Sequence, residues 1–144
     1  MNAPQRQMRI IEFCFVVFGL LLIYLMIKIP AQSKGSVNPA FELVVTLIAL
    51  VSVAMGFLAP RFLEQIASRT PQSQPRVTPL KRWTTVNLLS LSFFNACNLF
   101  GFVLHSVGGR VQLVEIVFAA GMISLLLWNP GNPPAAEEEN APQS

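Results

Sequence analysis

The sequence contains few charged residues. Of its 144 residues, 12% are charged and 53% are apolar. A soluble domain usually carries about 25% charged residues, so this chain has too little charge to cover a solvated surface. Its apolar content also excludes disorder for most of its length. The composition therefore predicts a single domain that lies within a lipid bilayer.

Residues that carry common active-site chemistry are equally scarce. The chain has one histidine, His105, and two cysteines, Cys14 and Cys97. It contains no glycine-rich phosphate loop, no HExxH zinc motif and no GxSxG nucleophile motif. Two cysteines cannot build a disulfide framework, so we expect both to be free, buried thiols. We predict no catalytic residue, cofactor or metal and, without a basic domain, no nucleic-acid partner.

Four apolar runs occupy most of the chain. A helix rises about 1.5 Å per residue, so roughly 20 residues cross a hydrocarbon core of about 30 Å. The runs are apolar throughout and do not alternate between apolar and polar residues, which favours helices over barrel strands. The sequence therefore predicts an all-α integral membrane four-helix bundle, forming one domain over residues 10–129. The spans are expected at about residues 10–29, 40–59, 83–106 and 111–128.

The first run permits a second interpretation. Arg6 and Arg9 ahead of an apolar run are typical of a cleaved signal peptide. Secretory apolar runs usually have about 7–15 residues, however. Because this run covers residues 10–29, we favour a retained membrane anchor.

Basic residues predict the orientation of the bundle, because Lys and Arg collect on the cytoplasmic side of membrane proteins. With four spans, the N-terminal residues 1–9, the linker 60–82 and the tail 130–144 share one side. That side carries Arg6, Arg9, Arg61, Arg69, Arg76, Lys81 and Arg82, and the other carries Lys28, Lys34 and Arg110. We therefore predict that both termini are cytoplasmic, at the inner membrane of a bacterium.

The linker and the tail differ in composition. Residues 61–68 are able to extend the second helix, whereas residues 70–79 are rich in Pro, Ser and Thr and predict an extended connection. The basic residues of the linker are expected to touch anionic lipid. The tail 130–144 combines prolines with the acidic run 137–139 and is predicted to be disordered.

Neutral polar residues mark the predicted midplane of the third span. Ser92, Asn95 and Asn98 recur at three-residue spacing, so we expect them to share one inward-facing side of the helix. An amide in lipid needs a partner, and interhelical hydrogen bonds supply one. Two interpretations stay open for these residues: they hold the helices together, or they form a ligand or ion site.

A second candidate cluster lies toward the outer ends of the spans. Glu42, His105 and Glu115 are expected at similar depth, with His105 and Glu115 facing each other across a short connection. The pair is interpreted as an interfacial hydrogen bond or, alternatively, as part of a site acting on lipid or quinone. No acid or base lies at the predicted midplane, which argues against an ion carrier with a central carboxylate.

Residues 88–103 read LLSLSFFNACNLFGFV and resemble the second helix of the proteolipid subunit c of F-type ATP synthases. The upstream residues are similar to its polar loop: Arg61-Phe62-Leu63-Glu64 is followed by Arg69-Thr70-Pro71. The resemblance covers about residues 50–105. It places Asn95 where the family has its ion-carrying carboxylate, and an amide cannot take up and release a proton as that group does. The resemblance therefore implies a shared hairpin packing and self-association, without proton translocation.

The sequence favours a small structural or accessory membrane protein that self-associates or docks on a larger membrane complex. The expected partners are the lipid bilayer and either further copies of the chain or other membrane subunits. The alternative is an oligomeric small-solute or ion transporter or channel lined by Ser92, Asn95 and Asn98. We do not expect an enzyme.

Overall fold

A computed structural model of the chain describes residues 3–30, 37–69 and 78–134. These ranges contain four helices and no strand, which confirms the predicted all-helical class. The helices are α1 (Ala3–Lys28), α2 (Pro39–Arg69), α3 (Pro79–Ser106) and α4 (Val111–Leu127). The predicted extended part of the linker, apart from Thr78 and Pro79, and the acidic run of the tail lie outside the described residues.

Three of the helices are long and apolar enough to cross a membrane. They are α1, the Pro39–Ile66 part of α2, and α3. The fourth helix is apolar but has 17 residues. At about 1.5 Å per residue, α4 is about 25 Å long and falls short of a typical hydrocarbon core. The chain is therefore a membrane protein by composition and helix length, and the fourth crossing stays a prediction.

Two helices begin where the sequence supplies starting residues, and α2 ends later than expected. Pro39 and Pro79 occupy first-turn positions, where a missing N–H costs nothing. The Thr78 side chain accepts a hydrogen bond from the Lys81 backbone N–H at the start of α3. Pro60 bounds the predicted second span, but α2 continues through it to Arg69. Residues 60–69 of the linker are therefore helical, as the composition of residues 61–68 allowed.

The central helix is α3, which packs against α1, α2 and α4. Close contacts show that α4 runs antiparallel to α3: Gly101 lies against Phe118, and Trp83 bonds to Pro130 beyond the other end of α4. This arrangement makes α3 the helix with the most extensive contacts to its three neighbours, while α4 also packs against α1 and α2.

The remaining helices complete an up-and-down bundle. Antiparallel α2 places Gly56 against Phe94. Parallel α1 places Gly19 near Asn98, and the carbonyl of Ile29 near the end of α3. The start of α1 and the end of α4 therefore lie at the same end of the bundle. That this end faces the cytoplasm stays a prediction.

Burial differs strongly between the helices. In the most apolar window of α1 only 11% of residues are buried, against 39% for α3. Large apolar side chains cover the outside of α1 and α2, as expected for helices that face lipid. The interior is built mainly from the inward side of α3 and the α4 side chains that face it, together with a few residues of α1 and α2.

Candidate functional site

The three midplane polar residues of α3 lie in three different environments. Ser92 is exposed, Asn95 is half-buried, and Asn98 is fully buried. A step of three residues turns an α-helix by about 300°, so successive members drift around the helix by about 60°. The prediction that these residues face inward is therefore wrong for Ser92 and correct for Asn98.

Ser92 needs no partner outside its own helix. Its Oγ donates a 2.8 Å hydrogen bond to the carbonyl oxygen of Leu88, one turn earlier. Serine and threonine side chains often satisfy themselves in this way within helices. The exposed hydroxyl is therefore compatible with lipid without forming a site.

Asn98 lies where α1, α3 and α4 meet. A Cβ atom at Gly121 would overlap its carboxamide, and one at Gly19 would lie 3.3 Å from its Nδ2. The two glycines thus leave the space that this side chain fills. Nδ2 donates a long 3.7 Å hydrogen bond to the Sδ of Met122, while Oδ1 is buried and has no partner in the described residues. Asn98 is a packing element of the three-helix junction.

Asn95 lies at the edge of the bundle, in an open groove between α1 and α3. The groove has a volume of about 380 Å³ and is lined by Asn95 together with Ile11, Cys14, Phe15 and Phe18. The Oδ1 of Asn95 is buried without a hydrogen-bond partner among the described residues. Cys14 is exposed in this groove, so its predicted burial is wrong. The groove therefore combines a buried, unpaired amide oxygen with two aromatic side chains, Phe15 and Phe18.

The buried side of α3 also contains polar residues that the sequence analysis missed. Asn87 donates from Nδ2 to the carbonyl of Trp83 at 2.8 Å, and the Oγ of Ser90 is buried without a partner in the described chain. The sequence could have indicated them, because the buried positions of α3 recur every three or four residues. The buried positions are Asn87, Ser90, Leu91, Phe94, Cys97, Asn98, Gly101 and Leu104.

The outer cluster is built around an ion pair that the sequence analysis did not anticipate. The Glu42 carboxylate accepts hydrogen bonds from Nε of Arg110 at 2.8 Å and from the Arg110 backbone N–H at 2.9 Å. The Glu42 side chain is 6% exposed and that of Arg110 is 64% exposed. A carboxylate near the N-termini of both α2 and α4 also interacts favourably with the two helix dipoles. The pair ties the start of α2 to the α3–α4 turn.

His105 and Glu115 do not meet. A ring nitrogen of His105, Nε2, lies 3.2 Å from the carbonyl oxygen of Ile29, where it ties the end of α3 to the end of α1. Glu115 is exposed on α4, and its side chain makes no hydrogen bond or ion pair within the described part of the chain. Glu42, His105 and Glu115 thus lie toward one end of the bundle but each has separate surroundings. No group of three His, Cys, Asp or Glu residues that could hold a metal occurs within residues 3–30, 37–69 and 78–134.

The opposite end of the bundle is fixed by two long side chains. Trp83 donates from Nε1 to the carbonyl of Pro130 at 2.9 Å, which ties the segment after α4 to the start of α3. Arg82 donates from Nη2 to the carbonyl of Leu63 at 3.2 Å. The second cysteine lies between the two ends, where Cys97 is buried and its Sγ donates to the Val117 carbonyl at 3.2 Å. Both cysteines are free, as predicted.

The chain matches no protein-family model, no curated protein and no solved structure. The resemblance of residues 50–105 to subunit c therefore depends on the sequence pattern alone and stays a prediction.

Proposed function

We propose that this chain is a small structural or accessory integral membrane protein that self-associates or docks on a larger membrane complex. The observation that carries the proposal is the chemistry of the interior. Among the described residues, the buried polar side chains are amides and hydroxyls, apart from Glu42, which is paired with Arg110 near the end of the bundle. Such an interior supports packing and assembly better than proton or electron transfer.

The surroundings of Asn95 support assembly in particular. Amide and carbonyl groups in hydrocarbon are stabilised when a neighbouring helix supplies a hydrogen bond. The bundle supplies none to the Oδ1 of Asn95 within the described residues. A helix from another chain that packs over the adjoining groove would supply a partner for the Asn95 carboxamide. The resemblance to subunit c, which implies self-association, agrees with this interpretation.

The test of assembly uses two copies of the full chain that carry different affinity tags. When both are expressed together and extracted in mild detergent, we expect the second tag to co-purify with the first, or a defined set of other membrane subunits to co-purify with both. The control mixes the two detergent extracts after separate expression. Recovery of each tag alone, with no stoichiometric companion, would contradict the proposal.

The absence of proton translocation has its own test. In vesicles with an imposed pH gradient, we expect the wild-type chain to leave the proton leak unchanged. Asn95→Glu restores a carboxylate at the position that the resemblance assigns to the ion carrier. Labelling of that Glu by a carbodiimide would support a subunit-c-like pocket. Proton flux through the wild-type chain would overturn this part of the proposal.

The transporter or channel remains the second candidate, and one observation favours it. Ser92 and Asn95 both lie on the side of α3 that the other helices leave open, so an assembly of several copies would bring them together. Asn98 is enclosed and does not reach that side. Solute-dependent swelling of vesicles that Asn95→Leu abolishes, while assembly persists, would favour this candidate over the accessory role.

A further inference from the structure

We propose that the end of the bundle at which α1 and α3 begin is a surface that selects anionic phospholipid from the surrounding bilayer. The inference goes beyond the accessory role and does not depend on self-association. We call this surface the basic end, and it is defined by side chains from three helices: Arg6, Arg9, Arg61, Arg69, Lys81 and Arg82. The linker sequence alone predicted lipid contact for residues 60–82, and the fold adds the start of α1 to the same end.

The first argument is an imbalance of charge along the bundle. Within the described residues, the basic end has its six bases and two acids, Glu12 and Glu64. The opposite end has two bases and two acids: Lys28, Arg110, Glu42 and Glu115. In the described chain one base of the basic end forms an ion pair, Arg9 with Glu12 at 2.7 Å. The remaining positive charge therefore has no counterion within these residues.

The second argument is the depth of these bases. Helix α2 has 31 residues and is about 46 Å long, whereas a hydrocarbon core is about 30 Å thick. Its apolar run ends at Ala59, so the excess length follows this residue and enters the headgroup region. The Nη2 of Arg82 donates to the Leu63 carbonyl at 3.2 Å, which places the start of α3 at the same depth. The bases of both helices therefore lie among lipid headgroups.

The third argument favours lipid over an acidic segment in water. Phe62 is 48% exposed beside Arg61, and Trp83 is half-buried beside Arg82. Aromatic rings next to bases are typical of helices at a membrane interface, where the rings contact acyl chains and the charges reach phosphate. An exposed phenyl ring is stabilised by lipid but not by a water-facing acidic segment.

The hydrogen-bonding capacity of the bases fits a phosphate group. Arg82 donates to Leu63 and makes no other side-chain bond within the described residues, so most of its five N–H groups are available. Arg61 and Lys81 are exposed, and their side chains have no partner in the described chain. Guanidinium and ammonium groups form charge-assisted hydrogen bonds with phosphate oxygens. One base near a membrane surface raises the affinity for anionic lipid about fivefold.

Tryptophan fluorescence tests the inference, because both tryptophans of the chain lie at the basic end. Trp83 donates to the carbonyl of Pro130, and Trp128 packs in the same apolar cluster. The full chain is reconstituted in vesicles of phosphatidylcholine and phosphatidylglycerol, with brominated acyl chains on one lipid or the other to quench the fluorescence. Quenching at equal bromine content gives the binding ratio of anionic to zwitterionic lipid.

We expect a ratio of about fivefold at low salt, which corresponds to one base for each bound lipid. The ratio should fall toward one as salt is added, because ions screen the attraction. Bromine in both leaflets makes the measurement independent of the orientation of the chain. A wild-type ratio near one at low salt would overturn the proposal.

Variants at the two ends provide the matched comparison. Arg61→Gln and Lys28→Gln remove the same charge from opposite ends, and only Arg61→Gln should lower the ratio, by about twofold. The triple variant Arg61→Gln, Lys81→Gln, Arg82→Gln should lower it to less than twofold overall. Arg82→Lys keeps the charge and should keep the ratio, which separates the charge of this residue from its bond to α2. Equal loss in Arg61→Gln and Lys28→Gln would overturn the proposal.

The acidic run 137–139 is the competing occupant of the basic end, because the chain leaves α4 at this end. Combined Glu137→Gln, Glu138→Gln and Glu139→Gln should change the ratio less than twofold. A ratio that is near one in the wild type and about fivefold in this variant would overturn the proposal and make the tail the occupant. None of these outcomes bears on assembly, so the accessory role stands or fails separately.

Discussion

Asn95 and Asn98 lie one helical turn apart on α3 and have opposite surroundings. Asn98 is enclosed where three helices meet and fills the space that Gly19 and Gly121 leave. Asn95 lies in an open groove with its oxygen unpaired. The two acids Glu42 and Glu115 show the same contrast, since one is paired with Arg110 and the other is exposed. Enclosed polar groups therefore serve the fold of one chain, whereas open ones remain for contact with lipid, solvent or another chain.

The largest expected effect comes from closing the space around Asn98. Gly121→Ala adds a Cβ that overlaps the Asn98 carboxamide and lies 3.2 Å from the Phe94 carbonyl oxygen. Overpacking of this kind costs about 1–3 kcal/mol. We expect a lower free energy of unfolding in a denaturing-detergent titration. Because Asn98→Ala removes the overlapping atoms, the same Gly121→Ala change should cost less in that background; equal cost in both backgrounds would contradict the packing role of Asn98.

A second prediction concerns the two acids. Glu42→Gln keeps the shape of the side chain but removes the charge that Arg110 binds, so we expect a lower Tm in detergent. Glu115→Gln alters an exposed acid that has no partner in the described chain and should leave Tm unchanged. Equal Tm values for the two variants would mean that the ion pair does not hold α2 to the α3–α4 turn.

A third prediction separates assembly from folding at Asn95. Asn95→Leu should weaken the assembled particle by roughly 0.6 kcal/mol for each interhelical hydrogen bond lost. Its insertion and the unfolding of the isolated chain should not change, because the bundle itself makes no hydrogen bond to this amide within the described residues. Size-exclusion profiles over a range of protein concentrations measure the first effect, and circular dichroism during heating measures the second. A particle of unchanged size at every concentration would show that Asn95 does not contribute to assembly.

The smallest effect is expected at Ser92. Its hydroxyl bonds to the carbonyl of Leu88 in the same helix, so Ser92→Ala removes a bond that no other helix shares. Both Tm and particle size should stay within error of the wild type. A clear loss of either would place a partner for Ser92 outside its own helix and would favour the transporter candidate.

The sequence was informative about the helices because length and apolar composition determine them. The four runs correspond to four helices, and Pro39 and Pro79 mark two starts. Pro60 was less informative, because a proline lowers the stability of a helix without always ending it, and α2 extends to Arg69. The extra turns contain Arg61, Glu64 and Arg69, so the apolar run alone did not show where the helix ends.

The candidate site was harder to predict because it depends on which side of α3 each neighbour covers. Three-residue spacing grouped Ser92, Asn95 and Asn98, but the drift around the helix separates them. The alternation of three and four residues from Asn87 onward describes the buried side better. The partner of Glu42 lies 68 residues along the chain, and the partner of His105 lies 76 residues away, so neither follows from local spacing.

The most direct test of the account is the mass of the particle in mild detergent, measured by native mass spectrometry on the full chain. The account predicts a homo-oligomer, or a complex with defined membrane subunits, and a shift toward single chains in Asn95→Leu under the same conditions. A wild-type particle that contains one chain and no other protein would contradict the account.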